Sequence, residues 1–97
     1  MKLNREKLER SAYILKTIAH PTRLMVIGLL DAHGEMSVNE ICAKTDCEQS
    51  LVSHHLSNMK LKGLLSSRRE GTSIRYALKE KNLVAILGCI DKCKCNF

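Results

Sequence analysis

The spacing of apolar residues in this chain changes from helical to extended at Gly63, and that change limits the folds open to it. Ahead of Gly63, apolar side chains recur at the spacing of one helix face. Beyond it, Ile74, Tyr76 and Leu78 alternate with Ser73, Arg75 and Ala77, as in a half-buried strand. Leu64-Leu65-Ser66-Ser67-Arg68-Arg69 reads as a second strand, with Glu70-Gly71-Thr72 as the turn of a hairpin. The predicted fold is therefore mainly α with one small β-hairpin. The chain has two Tyr, one Phe and no Trp, so Leu, Ile, Val and Met must build the core.

The helical part divides at clear punctuation. Residues 3–19 form an amphipathic helix with Leu8, Ile14, Leu15 and Ile18 on its apolar side. His20-Pro21-Thr22 ends it, because proline disfavours helical geometry in the residue before it and suits the first turn of a new helix. A second helix, PTRLMVIGLLDA, buries Leu24, Ile27 and Leu30 and stops at Ala32-His33-Gly34. Ser37 and Glu40 have capping-box spacing and open a short third helix whose inner side is Val38, Ile41 and Cys42. After the turn Thr45-Asp46-Cys47-Glu48, a fourth helix runs over about 49–62, with Leu51, Val52, Leu56 and Met59 inward. The last helix, about 80–93, carries Leu83, Val84, Ile86, Leu87 and Ile90. That apolar surface is wider than a small domain normally covers by itself, and it suggests a second subunit. No repeat, low-complexity tract or linker interrupts residues 1–97, which read as a single domain ordered α-α-α-α-β-β-α.

The net charge is +6 and unevenly spread. Residues 48–75 carry five basic and two acidic groups with His54 and His55 besides, whereas residues 21–47 carry two basic and four acidic. A basic centre is the footprint of a polyanion partner. A short helix, a tight turn and a helix with a hydroxyl- and amide-rich outer face form a helix-turn-helix. Short donors and acceptors read base edges in the major groove, and cations neutralise phosphates. Gln49, Ser50, Ser53, His54, His55, Asn58 and Lys60 are the candidate groove contacts, with Arg68, Arg69 and Arg75 on the hairpin beside them. His20 and His33, at helix boundaries, read as local structure.

Three segments, LKTIAHPTRLMVIGLL, SVNEICAKTDCEQSLVSHHLSNMKLKGLL and REGTSIRYAL, resemble the ArsR/SmtB winged-helix repressors, strongly over residues 15–78. The resemblance implies a recognition helix at about 49–62, a wing at about 64–79 and a dimerisation and sensor helix at about 80–93. It further implies a homodimer joined through the first and last helices, a palindromic double-stranded operator, and a ligand that lowers DNA affinity.

The family's ligand sites lie in several places. One uses a C-x-C pattern where this chain has Met36-Ser37-Val38-Asn39, and another uses Asp and His residues on the last helix, where this chain has Glu80-Lys81-Asn82 and Cys93. Cysteines on the recognition helix, found in some relatives, are missing here. Cys89, Cys93 and Cys95 remain, and some arsenic-responsive members carry a similar C-terminal cluster. Residues four apart on a helix have β-carbons about 5–6 Å from each other, and the tail beyond Cys93 could bring Cys95 to complete a three-sulfur set. Soft thiolates select thiophilic ions, and Lys92 and Lys94 favour the thiolate form. As(III) is the expected effector, with Cd(II), Zn(II) or Pb(II) as others the same sulfurs could take. A redox or persulfide switch at the same thiols is the alternative. Cys42 and Cys47 read as core filling in the helix-turn-helix.

No secretory signal is visible in MKLNREKLERS, and no apolar run approaches the roughly 20 residues of a membrane span. The expectation is a cytoplasmic protein with reduced thiols and no membrane partner. No Cys–His pair at a recognisable spacing, no carboxylate pair in an apolar setting and no phosphate-binding glycine loop is present, so the chain is not read as an enzyme. No cofactor is expected for DNA binding. A winged helix that docks a protein instead of DNA is the reading from another class.

Overall fold

Asn4 accepts a hydrogen bond from the Lys7 N–H and opens α1 (Arg5–Ile18) in the computed structural model, which describes residues 4–93. Pro21 stands at the first position of α2 (Pro21–His33), where its missing N–H costs nothing. Ser37 and Glu40 cap each other reciprocally at the start of α3 (Val38–Thr45). Asp46, at φ 56°, turns the chain toward α4 (Gln49–Leu61); Asp tolerates this left-handed geometry better than most residues. Gly63, at φ 84°, closes α4. Its N–H donates to the Lys60 carbonyl and that of Leu64 to the Met59 carbonyl, a pairing that satisfies two carbonyls left over at the helix end.

The hairpin forms as expected from β2 (Leu65–Glu70) and β3 (Ser73–Leu78) around the two-residue loop Gly71-Thr72. One element went unforeseen. Glu35–Ser37 forms β1, which pairs antiparallel with β3 and makes it the central strand of a β1-β3-β2 sheet. Three residues are too few to display alternation. They become a strand because the free edge of β3 lies beside them, with Met36 paired to Tyr76 and both side chains buried. The order is thus α-α-β-α-α-β-β-α, still a mainly helical winged helix-turn-helix.

Val26, Ile27 and Leu30 of α2 meet Ile41 of α3 and Val52, Leu56 and Met59 of α4, with Leu65 and Tyr76 of the sheet closing the core. Leu51, expected inward, is 43% exposed, and Leu8 and Leu15 of α1 are also exposed. The final helix is shorter than expected. α5 (Leu83–Asp91) begins after a turn at Lys81–Asn82 and ends before Cys93, whose N–H bonds the Ile90 carbonyl. Leu83 of α5 reaches the core, while Ile90 is exposed.

Leu56 is fully enclosed and Leu61, on the same helix, is 83% exposed. Urea denaturation should therefore show Leu56→Ala losing about 2–5 kcal/mol of unfolding free energy. Leu61→Ala should change it by less than about 0.5 kcal/mol.

Candidate DNA interface

Val52, His55, Leu56 and Met59 define the buried side of α4, so the opposite side is the one available to a partner. Gln49, Ser50, His54 and Lys60 are exposed there, and Ser53 and Asn58 are half-buried at its flanks. Ser57, absent from the sequence-based set, is exposed between His54 and Leu61; counting helix positions from the buried residues would have found it. No side chain caps the start of α4. Helix N-termini carry N–H groups without a helical partner and the positive end of the dipole, a combination that suits a phosphate. A groove of about 210 Å³ runs beside this end, lined by Ser37, Asn39, Gln49, Thr72 and Ser73 among others, and joins α3, α4 and the hairpin tip into one polar surface.

His55 does not belong to that surface. It is 3% exposed and lies between the apolar side chains of α4, because one residue beyond His54 turns about 100° around the helix axis. Its Nδ1 accepts a hydrogen bond of 2.9 Å from Arg23 Nε, and its ring centroid is 4.4 Å from that of His20. Contrary to the expectation from sequence, His55 is therefore not available as a DNA contact. His20, read as local structure only, belongs to this cluster.

The hairpin arginines divide. Arg68 and Arg75 are cross-strand neighbours on the sheet face opposite Met36 and Tyr76, and acids hold both. Arg68 grips both Glu35 carboxylate oxygens at 2.9 and 2.7 Å and Glu70 at 2.8 Å. Arg75 pairs with Glu40 at 3.0 Å and donates to the Glu35 backbone carbonyl. The Arg68 hydrogen bond holds the Glu35 carboxyl below the usual carboxylate range, and the same contacts raise the Arg68 guanidinium further. Bonds from Ser37, followed by the Arg75 charge, lower Glu40 likewise. Both arginines are thus engaged within the subunit. Arg69 points to the other side near the tip and has no ion-pair partner among the described residues.

The sequence matches a known family. The model for bacterial regulatory proteins of the arsR family matches residues 20–67. A helix-turn-helix transcriptional regulator of Methanocaldococcus jannaschii is 36% identical over 87 residues, spanning 90% of this chain and 98% of that protein. The chain belongs to the arsR family. It is accordingly a DNA-binding transcriptional regulator and not an enzyme. The crystal structure of the transcriptional repressor PagR of Bacillus anthracis superposes with a TM-score of 0.78 at 33% identity, over 90% of this chain and 99% of that one. The arsenical resistance operon repressor of Escherichia coli is 35% identical over 65 residues, 67% of this chain and 56% of that protein. For this arsR-family chain, no helix among the described residues is long and apolar enough to cross a membrane.

Cys89 and Cys93 are exposed at the end of α5, and Cys95 lies outside the described residues. Cys93 lies two residues beyond the last residue of α5, and its N–H donates to the Ile90 carbonyl. Among the described residues no three His, Cys, Asp or Glu side chains are grouped to hold a metal; a three-sulfur set needs Cys95. Cys42 and Cys47 pack at the core margin, as expected.

The divided arginines give opposite expectations for binding to a random duplex. Arg69→Ala should reduce the slope of log affinity against log salt by about 1. Glu35→Gln should instead strengthen binding, since it removes one of the two carboxylates that offset the Arg68 charge and leaves only Glu70. Titrations by fluorescence anisotropy at several salt concentrations measure both.

Proposed function

We propose that this regulator is a cytoplasmic homodimeric repressor, released from a palindromic operator when Cys89, Cys93 and Cys95 take up a thiophilic ion, As(III) foremost. The observation that carries this reading is the exposure of Cys89 and Cys93 together at the end of the helix that also bears the unfilled apolar surface. Thiols in that position titrate a ligand and the subunit contact at once.

Support for the dimer comes from apolar surface left uncovered on α1 and α5. Tyr13, Leu15 and Ile90 are exposed, and a groove of about 400 Å³ between the two helices is lined by Ile14, Leu15, Leu83 and Ile86 among others. A second copy is the occupant that places one α4 per operator half-site. Support for the ligand comes from sulfur chemistry: three thiolates match the trigonal demand of As(III), while Cd(II), Zn(II) or Pb(II) would add a fourth donor. The relationship to an arsenical resistance operon repressor adds to this.

Release is a coupling free energy between the thiol site and the DNA surface. With the reduced protein on DNA from its own upstream promoter, arsenite should weaken binding by about 5- to 150-fold. A Cys89/Cys93/Cys95→Ser triple variant should bind that DNA equally well and not respond. Insensitivity of the wild type to arsenite, with release by peroxide or polysulfide, would replace ion capture with thiol oxidation.

A further inference from the structure

We propose that Arg23 is a positioning residue for DNA binding: it ties His55 on the buried side of α4 to the end of α1, and a proton on His55 Nδ1 undoes the tie. The proposal rests on α4 as the recognition helix.

The geometry assigns the hydrogens. Arg23 Nε–H donates to His55 Nδ1 at 2.9 Å, so Nδ1 must present its lone pair. A neutral imidazole then carries its hydrogen on Nε2, which is buried and has no hydrogen-bond partner. His55 is thus held from one side only. The other arm of the same guanidinium, Nη1, donates at 2.7 Å to the Thr17 carbonyl, in the last turn of α1, where carbonyls have no helical partner. One planar cation on α2 therefore joins α1 to α4 with two directional bonds.

Direction matters because the rest of the α4 seat is apolar. Val52, Leu56 and Met59 hold the helix against the core without specifying its roll about its own axis. The Arg23–His55 bond does specify it, and the aim of Ser50, His54 and Ser57 toward a groove follows from that roll.

A second proton on the ring turns Nδ1 from acceptor into donor, facing an N–H of a guanidinium. The groups around His55 offer no relief. His20, ahead of α2, lies with its ring 4.4 Å away, Arg23 comes from α2 and His54 from α4 itself, while α1 contributes a carbonyl already engaged. None is an acid. Burial pushes the His55 pKa down, and the His20, Arg23 and His54 charges push it the same way. The sign follows: His55 is neutral and tied at neutral pH. As pH falls past the ordinary histidine value and through the lowered one, the tie and its contribution to stability are lost.

The test uses a labelled duplex from the chain's own upstream promoter, titrated at constant ionic strength from about pH 8 down to the most acidic pH at which circular dichroism shows the fold intact, since His55 titrates below the ordinary histidine value. Wild type should lose about tenfold or more in affinity over that range, the size of one hydrogen bond involving a charged group. His55→Asn, whose amide oxygen can accept from Arg23 and takes no proton, should not show that loss. Arg23→Lys, whose flexible ammonium lacks the fixed planar fork that orients both bonds, should bind about tenfold more weakly than wild type even at the alkaline end. The ring-nitrogen NMR shifts of wild-type His55 should report the Nε2–H tautomer there, with the α4 amides moving as it titrates. Parallel pH profiles for wild type and His55→Asn would overturn the proposal, as would wild-type affinity in Arg23→Lys. If either variant fails to fold, an Nδ1–H tautomer or an α4 unmoved by the titration overturns it on the wild type alone. No binding by wild type at about pH 8 would count against α4 as the recognition helix, and the unaltered tautomer would separate that failure from this one.

Discussion

Everything outward in this molecule depends on how α4 is seated. Its buried side is narrow, with Val52, Leu56 and Met59 fully enclosed and His55 among them. Those side chains touch what α2, α3 and the sheet supply: Val26, Ile27, Leu30, Ile41, Leu65 and Tyr76. Burying such aliphatic side chains is worth about 1.5–3 kcal/mol each. That energy holds the helix but is nearly indifferent to small rotations. Polar contacts with fixed directions are what turn a held helix into an aimed one. The Arg23 bridge to His55 is such a contact.

The same economy of polar contacts explains the hairpin. Two arginines directly opposite each other on adjacent strands repel. Glu35, delivered by β1, lies against both, and Glu40 and Glu70 complete the set. These pairs are exposed, and the net energy of such pairs is small. Their effect is on shape and charge: they fasten β1, the start of α3 and the hairpin to one another, and they leave Arg69 as the cation near the tip without an internal partner among the described residues. The basic stretch seen in the sequence is therefore less basic, as a DNA would meet it, than its composition suggests.

Much of the fold was legible because its determinants are local. The change of period at Gly63, Pro21 at a helix start and the Ser37–Glu40 spacing each set an element with its immediate neighbours. What escaped depends on partners distant in sequence. β1 exists because β3 offers an edge from Tyr76 and its neighbours, about forty residues away, and nothing in Glu35-Met36-Ser37 announces that. His54 and His55 look alike in sequence, and only the choice of buried side separates a surface residue from an anchor. The inward placement of Leu51 failed for the same reason, since apolar character was taken as burial on a helix that needs only a narrow buried side. The outer face of α4 was legible as a class of chemistry. The engagement of Arg68 and Arg75 was not, because their partners on β1 and α3 precede them by more than thirty residues.

The placement of the thiols sets a mechanical requirement. α5 packs chiefly on α2, and α2 is also packed against α3, α4, β1 and β3. A ligand at the end of α5 is therefore at least one helix removed from the DNA surface within its own subunit. To be felt there, it must shift α2 as a body or, in the proposed homodimer, change how two subunits meet through α1 and α5. α1 has little packing of its own against the rest of the domain, so a change in subunit contact moves it more readily than it deforms the close-packed core. The end of α1 is where Arg23 takes its second hold, at the Thr17 carbonyl. Both routes, through α2 directly or through α1, thus converge on the first turn of α2, where one guanidinium reaches α4.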